Sequence, residues 1–149
     1  MEKIFGIVPA SQGPYIFIWA LSLFLVAVIA LFVFIGYSSR HVSFAVSEDG
    51  LRIRGALYGR SIPRSDIVSG DAKVVNLNTD AEYKPKSRTN GIGLPGYAEG
   101  WFRLANKQKA LVFVTDRSRV VYVPTHQNYA VLLSVREADE LADLIKRWE

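Results

Sequence analysis

The chain contains no cysteine and only two histidines. Without cysteine, disulfide frameworks, thiolate zinc sites, iron–sulfur clusters and cysteine nucleophiles are excluded. His41 and His126 lie far apart in the sequence, so no local metal-ligand spacing exists. No Gly-x-Ser-x-Gly nucleophile elbow occurs either. We therefore predict no metal, no cofactor and no enzymatic activity.

Hydrophobic residues make up 50% of the 149 positions, but they are unevenly distributed. Of the 21 residues from 15 to 35, only Ser22 is not hydrophobic. As a helix this segment would span about 31 Å at roughly 1.5 Å per residue, which matches a hydrocarbon core of roughly 30 Å. We therefore predict a single transmembrane helix at residues 14–36, so that the lipid bilayer is the first partner.

Aromatic residues flank this segment, with Tyr15 and Trp19 near one end and Tyr37 at the other. Such rings are typical membrane-interface anchors. A cleaved signal peptide is an alternative, because Gly36 and Ser38 form a weak small-x-small site, and a buried core helix is a second one. The apolar region of a signal peptide is normally about 7–15 residues long, so a retained anchor is favoured.

The positive charges beside the apolar segment predict its orientation. Lys3 precedes it, whereas Arg40, Arg52 and Arg54 follow it. This difference favours a single-pass protein of the cell membrane whose C-terminal domain is cytoplasmic.

The predicted organisation is an N-terminal tail at residues 1–13, the transmembrane helix at 14–36, a short linker at 37–40 and a β domain at 41–149. In this domain Val42, Phe44 and Val46 alternate with polar or small residues before an Asp-Gly turn. This alternation predicts a hairpin over residues 41–57. Further strands are predicted near residues 61–62, 67–77, 100–104, 110–115, 119–123 and 129–133.

The hydrophobic period changes near the C-terminus. Ser134 and Glu137 have capping-box spacing, and the apolar residues that follow recur at helical intervals. We predict a helix at residues 135–148. Such a helix must bury its apolar stripe, so it should cover sheet surface or plug an open barrel end.

Together, the hairpin, the Ser61-Ile62-Pro63 strand leading to Asp66-Ile67, the glycine-rich approach to Gly100-Trp101-Phe102 and the terminal helix resemble a bacterial pleckstrin-homology-like (PH-like) domain. The resemblance covers about residues 40–148, and it is to the type that follows a transmembrane helix. It implies a mainly β fold, a bent barrel or sandwich of about seven antiparallel strands with a C-terminal capping helix. It also implies a scaffold for binding lipids, peptides or other domains, although fold alone fixes no ligand.

Arg52 and Arg54 alternate with apolar neighbours, so both guanidinium groups should leave one face of a strand. Paired guanidinium groups suit phosphate oxygens. Arg52-Ile53-Arg54 is similar to part of the Lys/Arg-x-Arg pattern of phosphoinositide-binding PH domains. The alternative is an ordinary solvated strand face.

Residues 80–100 form the longest segment without a clear period, and such loops are often functional or disordered. Its Gly91-to-Gly96 stretch matches Gly-x-Gly-x-x-Gly, but Pro95 and Gly96 resist the helix that a dinucleotide fingerprint must open. We expect either a long β connection or a basic, flexible loop that contacts anionic lipid or a partner.

Charge is also segregated along the chain. Residues 40–136 carry 15 Lys/Arg against 8 Asp/Glu, whereas residues 137–149 carry 2 against 5. A basic strand body close to a bilayer favours anionic lipids as partners. No nucleic-acid recognition motif is present, so nucleic acid is not predicted. A membrane-protein partner, bound through strand edges or the acidic helix, is the alternative. The predicted headgroup contacts are Arg40, Arg52, Arg54, Lys84, Lys86 and Arg88.

Overall fold

The structure, a computed structural model, describes residues 3–9 and 11–148. Residues 1, 2 and 10 of the predicted tail and residue 149 lie outside the described residues, as do the side chains of Ser38 and Ser39. The chain divides into two compact units, Met1–Arg40 and His41–Glu149.

The first unit contains helix α1, Gln12–Arg40. Within Gln12–Tyr37, an 18-residue window has a mean hydropathy of 3.0, and none of that window is buried within the protein. The helix is therefore long and apolar enough to cross a membrane, and it includes the whole predicted span at 14–36.

The second unit is mainly β, with nine strands in two sheets and a C-terminal helix among its described residues, which confirms the predicted fold class. The small sheet has the order β1-β2-β3 and the large sheet the order β4-β8-β9-β7-β6-β5. Three 3₁₀ turns connect the strands, at Arg64–Asp66, Ser69–Asp71 and Ala81–Tyr83. The strands and the helix are β1 Ser43–Ser47, β2 Gly50–Arg54, β3 Ser61–Pro63, β4 Lys73–Val75, β5 Pro85–Leu94, β6 Tyr97–Leu104, β7 Lys109–Val114, β8 Val120–Pro124, β9 Tyr129–Leu133 and α2 Ala138–Lys146.

The predicted hairpin forms the small sheet. Ser47 pairs with Gly50 across the two-residue turn Glu48-Asp49, which fixes the register of β1 against β2. Period-two alternation then places Leu51 and Ile53 in the core. Arg52 and Arg54 consequently lie on the outer face.

The large sheet is not wholly antiparallel, in contrast to the expectation. Strand β9 lies between β7 and β8 and runs parallel to β7. Residues 115–119 therefore do not close a hairpin but carry the chain past the end of β9. Ser134 supports this connection, because its Oγ accepts a hydrogen bond from Thr115 N at 3.1 Å and donates one to Asp116 O at 2.8 Å.

This use of Ser134 explains why the predicted capping box is absent. The N-cap of α2 is Glu137, no side chain caps the helix, and α2 begins at Ala138 rather than at residue 135. The seryl hydroxyl is already engaged by the β7–β8 connection. The helix packs Ala138, Leu141, Ala142 and Ile145 into the core, as the predicted apolar stripe requires.

Both faces of the large sheet are covered. On one face the small sheet and α2 bury residues such as Leu51, Phe113 and Ile145. On the other face Val112, Val120 and Leu132 form a second core. The segment that links edge strands β4 and β5 contributes Leu77 and Tyr83 to this second core.

The expected loop at residues 80–100 is mostly a hairpin. Strands β5 and β6 pair from Pro85↔Leu104 to Leu94↔Tyr97, with two register shifts on β5. The bulges and glycines break the period-two pattern, which hid this strand in the sequence. Gly91 faces Gly100 across the hairpin, and both have positive φ, +151° and +117°.

Candidate binding surface

The outer face of the small sheet presents Arg52 and Arg54, both exposed. Their cross-strand neighbours on β1 are Ala45 and Ser43, whose small side chains leave the guanidinium groups uncovered. No carboxylate among the described residues lies within ion-pair distance of either group. Two adjacent uncovered guanidinium groups can bind phosphate oxygens.

The other predicted contacts lie elsewhere in the fold. Lys86 and Arg88 are exposed on β5, at the edge of the large sheet, and Lys84 precedes them half-buried. Arg40 is the last residue of α1, in the other unit. Arg52 and Arg54 belong to the small sheet, whereas Lys86 and Arg88 belong to the large sheet, so the predicted set is divided between different elements of the fold.

The predicted interface aromatics Tyr15, Trp19 and Tyr37 are exposed on α1, at 59%, 76% and 63% of their surface. Tyr15 and Trp19 lie in its first turns and Tyr37 near its end. Their role at a membrane interface stays a prediction.

A third basic group surrounds Trp101 on β6. The Arg60 guanidinium lies 5.1 Å from the centre of the indole ring, and the Lys109 ammonium lies 4.4 Å from it. Tyr129 packs edge-on against the same indole, with 5.2 Å between ring centres. Arg103 lies directly opposite Lys109 in the β6–β7 register. We call Arg60, Trp101, Arg103, Lys109 and Tyr129 the indole cluster.

The indole cluster was not predicted from the sequence, although local patterns identify part of it. Arg103 and Lys109 flank a short polar segment symmetrically, so a β6–β7 hairpin places them opposite each other. Trp101 lies two residues before Arg103 and therefore on the same face. Arg60 comes from the loop between β2 and β3, which only the tertiary structure brings over the indole ring.

The same loop covers a buried carboxylate. Glu99 is 1% exposed, and its Oε1 accepts a hydrogen bond from Tyr58 N at 3.3 Å. The Tyr97 hydroxyl donates to the other oxygen of Glu99, and the Tyr58 hydroxyl donates to Asn90 Oδ1 at 2.9 Å. Burial, together with the hydrogen bond to Glu99, raises the pKa of Tyr97 above its ordinary value of about 10. Glu99 is thus satisfied by hydrogen bonds, and it fixes the loop that carries Arg60.

A further cation lies at the β4 edge. The Lys73 ammonium lies 4.9 Å from the centre of the Tyr83 ring and 5.8 Å from that of Tyr122. The hydrogen bond to Tyr83 outweighs desolvation and raises the pKa of Lys73. Lys73 therefore stays charged at neutral pH and adds to the positive surface.

None of the cations described above has a carboxylate within ion-pair distance among the described residues. Among residues 3–9 and 11–148 the ion pair formed is that between Arg119 and Asp139. In the same part of the chain no three His, Asp or Glu side chains converge as metal ligands. The glycines of the Gly-x-Gly-x-x-Gly stretch belong to the β5–β6 hairpin, not to the start of a helix.

Two sheets packed with a C-terminal helix, preceded by an apolar helix, define a PH-like domain behind a candidate membrane span. A protein-family model described as bacterial PH domain matches residues 42–148, more than two thirds of the chain, so the chain belongs to that family. PH domains are generally non-catalytic binding modules. No curated protein and no solved structure matches the chain. The family and α1 together fit a membrane-anchored binding domain.

Proposed function

We propose that the protein is a single-pass membrane protein whose PH-like domain contacts anionic lipid headgroups on the cytoplasmic side. The observation that carries this proposal is the set of exposed cations without carboxylate partners, notably Arg52, Arg54, Lys86 and Arg88. A charge that is not neutralised within the protein remains available to an external anion.

The chain connection supports this function. Only His41 and Val42 separate the end of α1 from the start of β1, so the connection reaches about 10 Å. If α1 spans the bilayer, the domain therefore stays beside the headgroups. Each basic residue near an anionic leaflet contributes about 1 kcal/mol, and the attraction fades within a Debye length of roughly 8 Å. Because α1 already attaches the protein, this attraction orients the domain rather than recruiting it.

The orientation across the membrane follows the same charges. Arg40, Arg52 and Arg54 follow the apolar segment, and Lys3 precedes it. The positive-inside rule then places the C-terminal domain in the cytoplasm, where the leaflet is anionic. Protease treatment of sealed cells tests this step: the domain is expected to be protected, and its digestion would contradict the proposed topology.

A labelled full-length protein tests lipid contact. Because the chain has no cysteine, Ser61→Cys on exposed β3 provides a single labelling site. Energy transfer from a dye at this site to headgroup acceptors is measured in phosphatidylcholine vesicles with and without phosphatidylglycerol. We expect the transfer to change when the anionic lipid is present and to return to its neutral-vesicle value at high salt.

Charge variants identify the contact. Loss of two arginines should reduce the orientational bias by about 2 kcal/mol, or roughly 30-fold. Arg52→Gln/Arg54→Gln should therefore abolish most of the lipid-dependent change. Arg136→Gln/Arg147→Gln removes the same charge beside the acidic helix and serves as the control. An unchanged response in the first variant, or an equal loss in the control, would refute contact through the small sheet.

A further inference from the structure

A groove lies between edge strand β1 and helix α2. It has a volume of about 520 Å³. Val42, Phe44 and Val46 line it on the strand side, and Glu137, Glu140 and Leu144 line it on the helix side. Glu140 and Leu144 also line an adjoining depression of about 370 Å³ with Asp143 and Arg147, so the groove continues along α2. We call this surface the β1–α2 groove.

Strand β1 is an unprotected sheet edge. It pairs with β2 alone, and no described strand pairs with its outer side. Charged residues, proline and bulges protect many sheet edges, and a covering helix or loop protects others. Helix α2 lies beside β1 but leaves the groove open between them. Ser43–Ser47 contains no charged residue and no proline, and its register with β2 is unbroken. Its free N–H and C=O groups can therefore pair with an added strand.

Phe44 and Val46 leave β1 on the side of the groove and remain half-buried. An extended segment added to β1 could place alternate apolar side chains against Phe44, Val46 and Leu144. Leu144 is 41% exposed, and it lies one helical turn after Glu140 on the groove side of α2. Backbone pairing would supply affinity, and the groove would select the side chains.

The charges of the groove identify the occupant. Glu137, Glu140 and Asp143 have no cation within ion-pair distance among the described residues, whereas Asp139 is paired with Arg119. Arg136 lies at one end of the groove and Arg147 at the other. The middle of the helix wall is therefore acidic. A second copy added through β1 would bring two acidic walls together, and like charges across an interface are costly.

We propose that the β1–α2 groove binds an extended segment of a partner protein that carries apolar residues and a lysine or arginine at positions two residues apart. The segment adds to β1 as a fourth strand of the small sheet, so side chains two residues apart point to the same side. Its apolar and basic side chains therefore enter the groove together, where the basic side chain meets Glu137 and Glu140. This site lies on the inner side of β1, whereas Arg52 and Arg54 lie on the outer face of the sheet. The inference is thus independent of lipid contact.

Selection from a library of random short peptides tests the proposal. The full-length protein is presented in nanodiscs of phosphatidylcholine, a neutral lipid, so that failure of lipid contact does not affect the result. We expect the enriched peptides to carry apolar residues and lysine or arginine spaced two residues apart, so that all of them face the groove. Addition of an enriched peptide should slow hydrogen exchange of the β1 amides, as strand addition requires. Failure to enrich such peptides over empty nanodiscs, or unchanged exchange in β1, would overturn the proposal.

Charge reversal provides the matched comparison. Both glutamates are exposed, so Glu137→Lys/Glu140→Lys should keep the fold while weakening the basic peptides at least about tenfold. The same peptide with glutamate in place of its basic residues should regain affinity for this variant. The control Asp71→Lys/Glu82→Lys reverses two exposed charges outside the groove. Equal binding of the peptide to both variants would contradict the proposal. A dimer of the parent protein that is altered by Glu137→Lys/Glu140→Lys would also contradict it, because a second copy of the chain would then occupy the groove.

Discussion

Substitution of Gly100 by alanine should destabilise the domain severely. Gly100 has φ +117°, where a residue with a side chain is strained by about 1–3 kcal/mol. A Cβ atom at this position would lie 2.5 Å from Asn90 O and 2.6 Å from Gly91 Cα, both backbone atoms of the paired strand. Relief would require β5 and β6 to separate, which would break ladder hydrogen bonds of about 1 kcal/mol each. We expect a total loss of at least about 3 kcal/mol, a large part of a typical stability of about 5–15 kcal/mol.

Gly93 on the same hairpin provides the control. A Cβ atom there would meet only the Phe102 ring, at 3.6 Å, which is ordinary contact. Gly93→Ala should therefore stay within about 1 kcal/mol of the parent, because it also restricts the unfolded chain. Urea unfolding of the full chain in detergent, followed by tryptophan fluorescence, gives both values. If Gly100→Ala were as stable as the parent, or Gly93→Ala as damaging as Gly100→Ala, the close approach of β5 and β6 at their glycines would be refuted.

Two further substitutions test local contacts. The pKa of Tyr97 is raised in the folded domain, so the folded domain keeps a proton that the unfolded chain releases near pH 10. The contribution of Tyr97 to the free energy of unfolding is therefore fully present below about pH 10. It is lost as the pH rises through the pKa of the folded state. Tyr97→Phe should flatten this alkaline loss in urea unfolding measured across the pH range, and identical slopes would contradict the burial of Tyr97 against Glu99. Ser134→Ala removes two hydrogen bonds from the β7–β8 connection and should cost about 1–3 kcal/mol by thermal unfolding. Glu137→Ala, which would remove the other half of a capping box, should change stability by less than about 0.5 kcal/mol. A comparable loss from both changes would indicate a capping box after all.

The sequence predicted those elements whose signals are local. The β1–β2 hairpin, the β3 strand, the β9 strand and the apolar helix follow from alternation, turn residues and length. The β5 strand was missed because bulges and glycines disturb its period. The position of β9 between β7 and β8 was also missed, because no local pattern distinguishes a parallel neighbour from a hairpin partner.

The binding surfaces also divide into those with a local sequence signal and those that only the tertiary structure reveals. Arg52 and Arg54 could be assigned to one strand face from alternation alone. The indole cluster needs Arg60 from a distant loop, and the β1–α2 groove needs a strand and a helix separated by about 90 residues. Ser134 was predicted to be part of a capping box because of its spacing to Glu137, whereas its actual hydrogen-bond partners lie 18 and 19 residues away in the sequence.

The central place of β9 in the large sheet has a consequence for biosynthesis. Strands β7 and β8 leave the ribosome before the strand that must separate them. At about 5–20 residues per second, the roughly 20 residues from the end of β7 to the end of β9 take about 1–4 s to translate. During this interval two apolar strands with open edges follow each other in the nascent chain. They can pair incorrectly as a β7–β8 hairpin, because they are neighbours in the sequence. The sheet can therefore close only after β9 has been translated, and a ribosome that stalls before residue 129 leaves a chain with no correct partner for either edge.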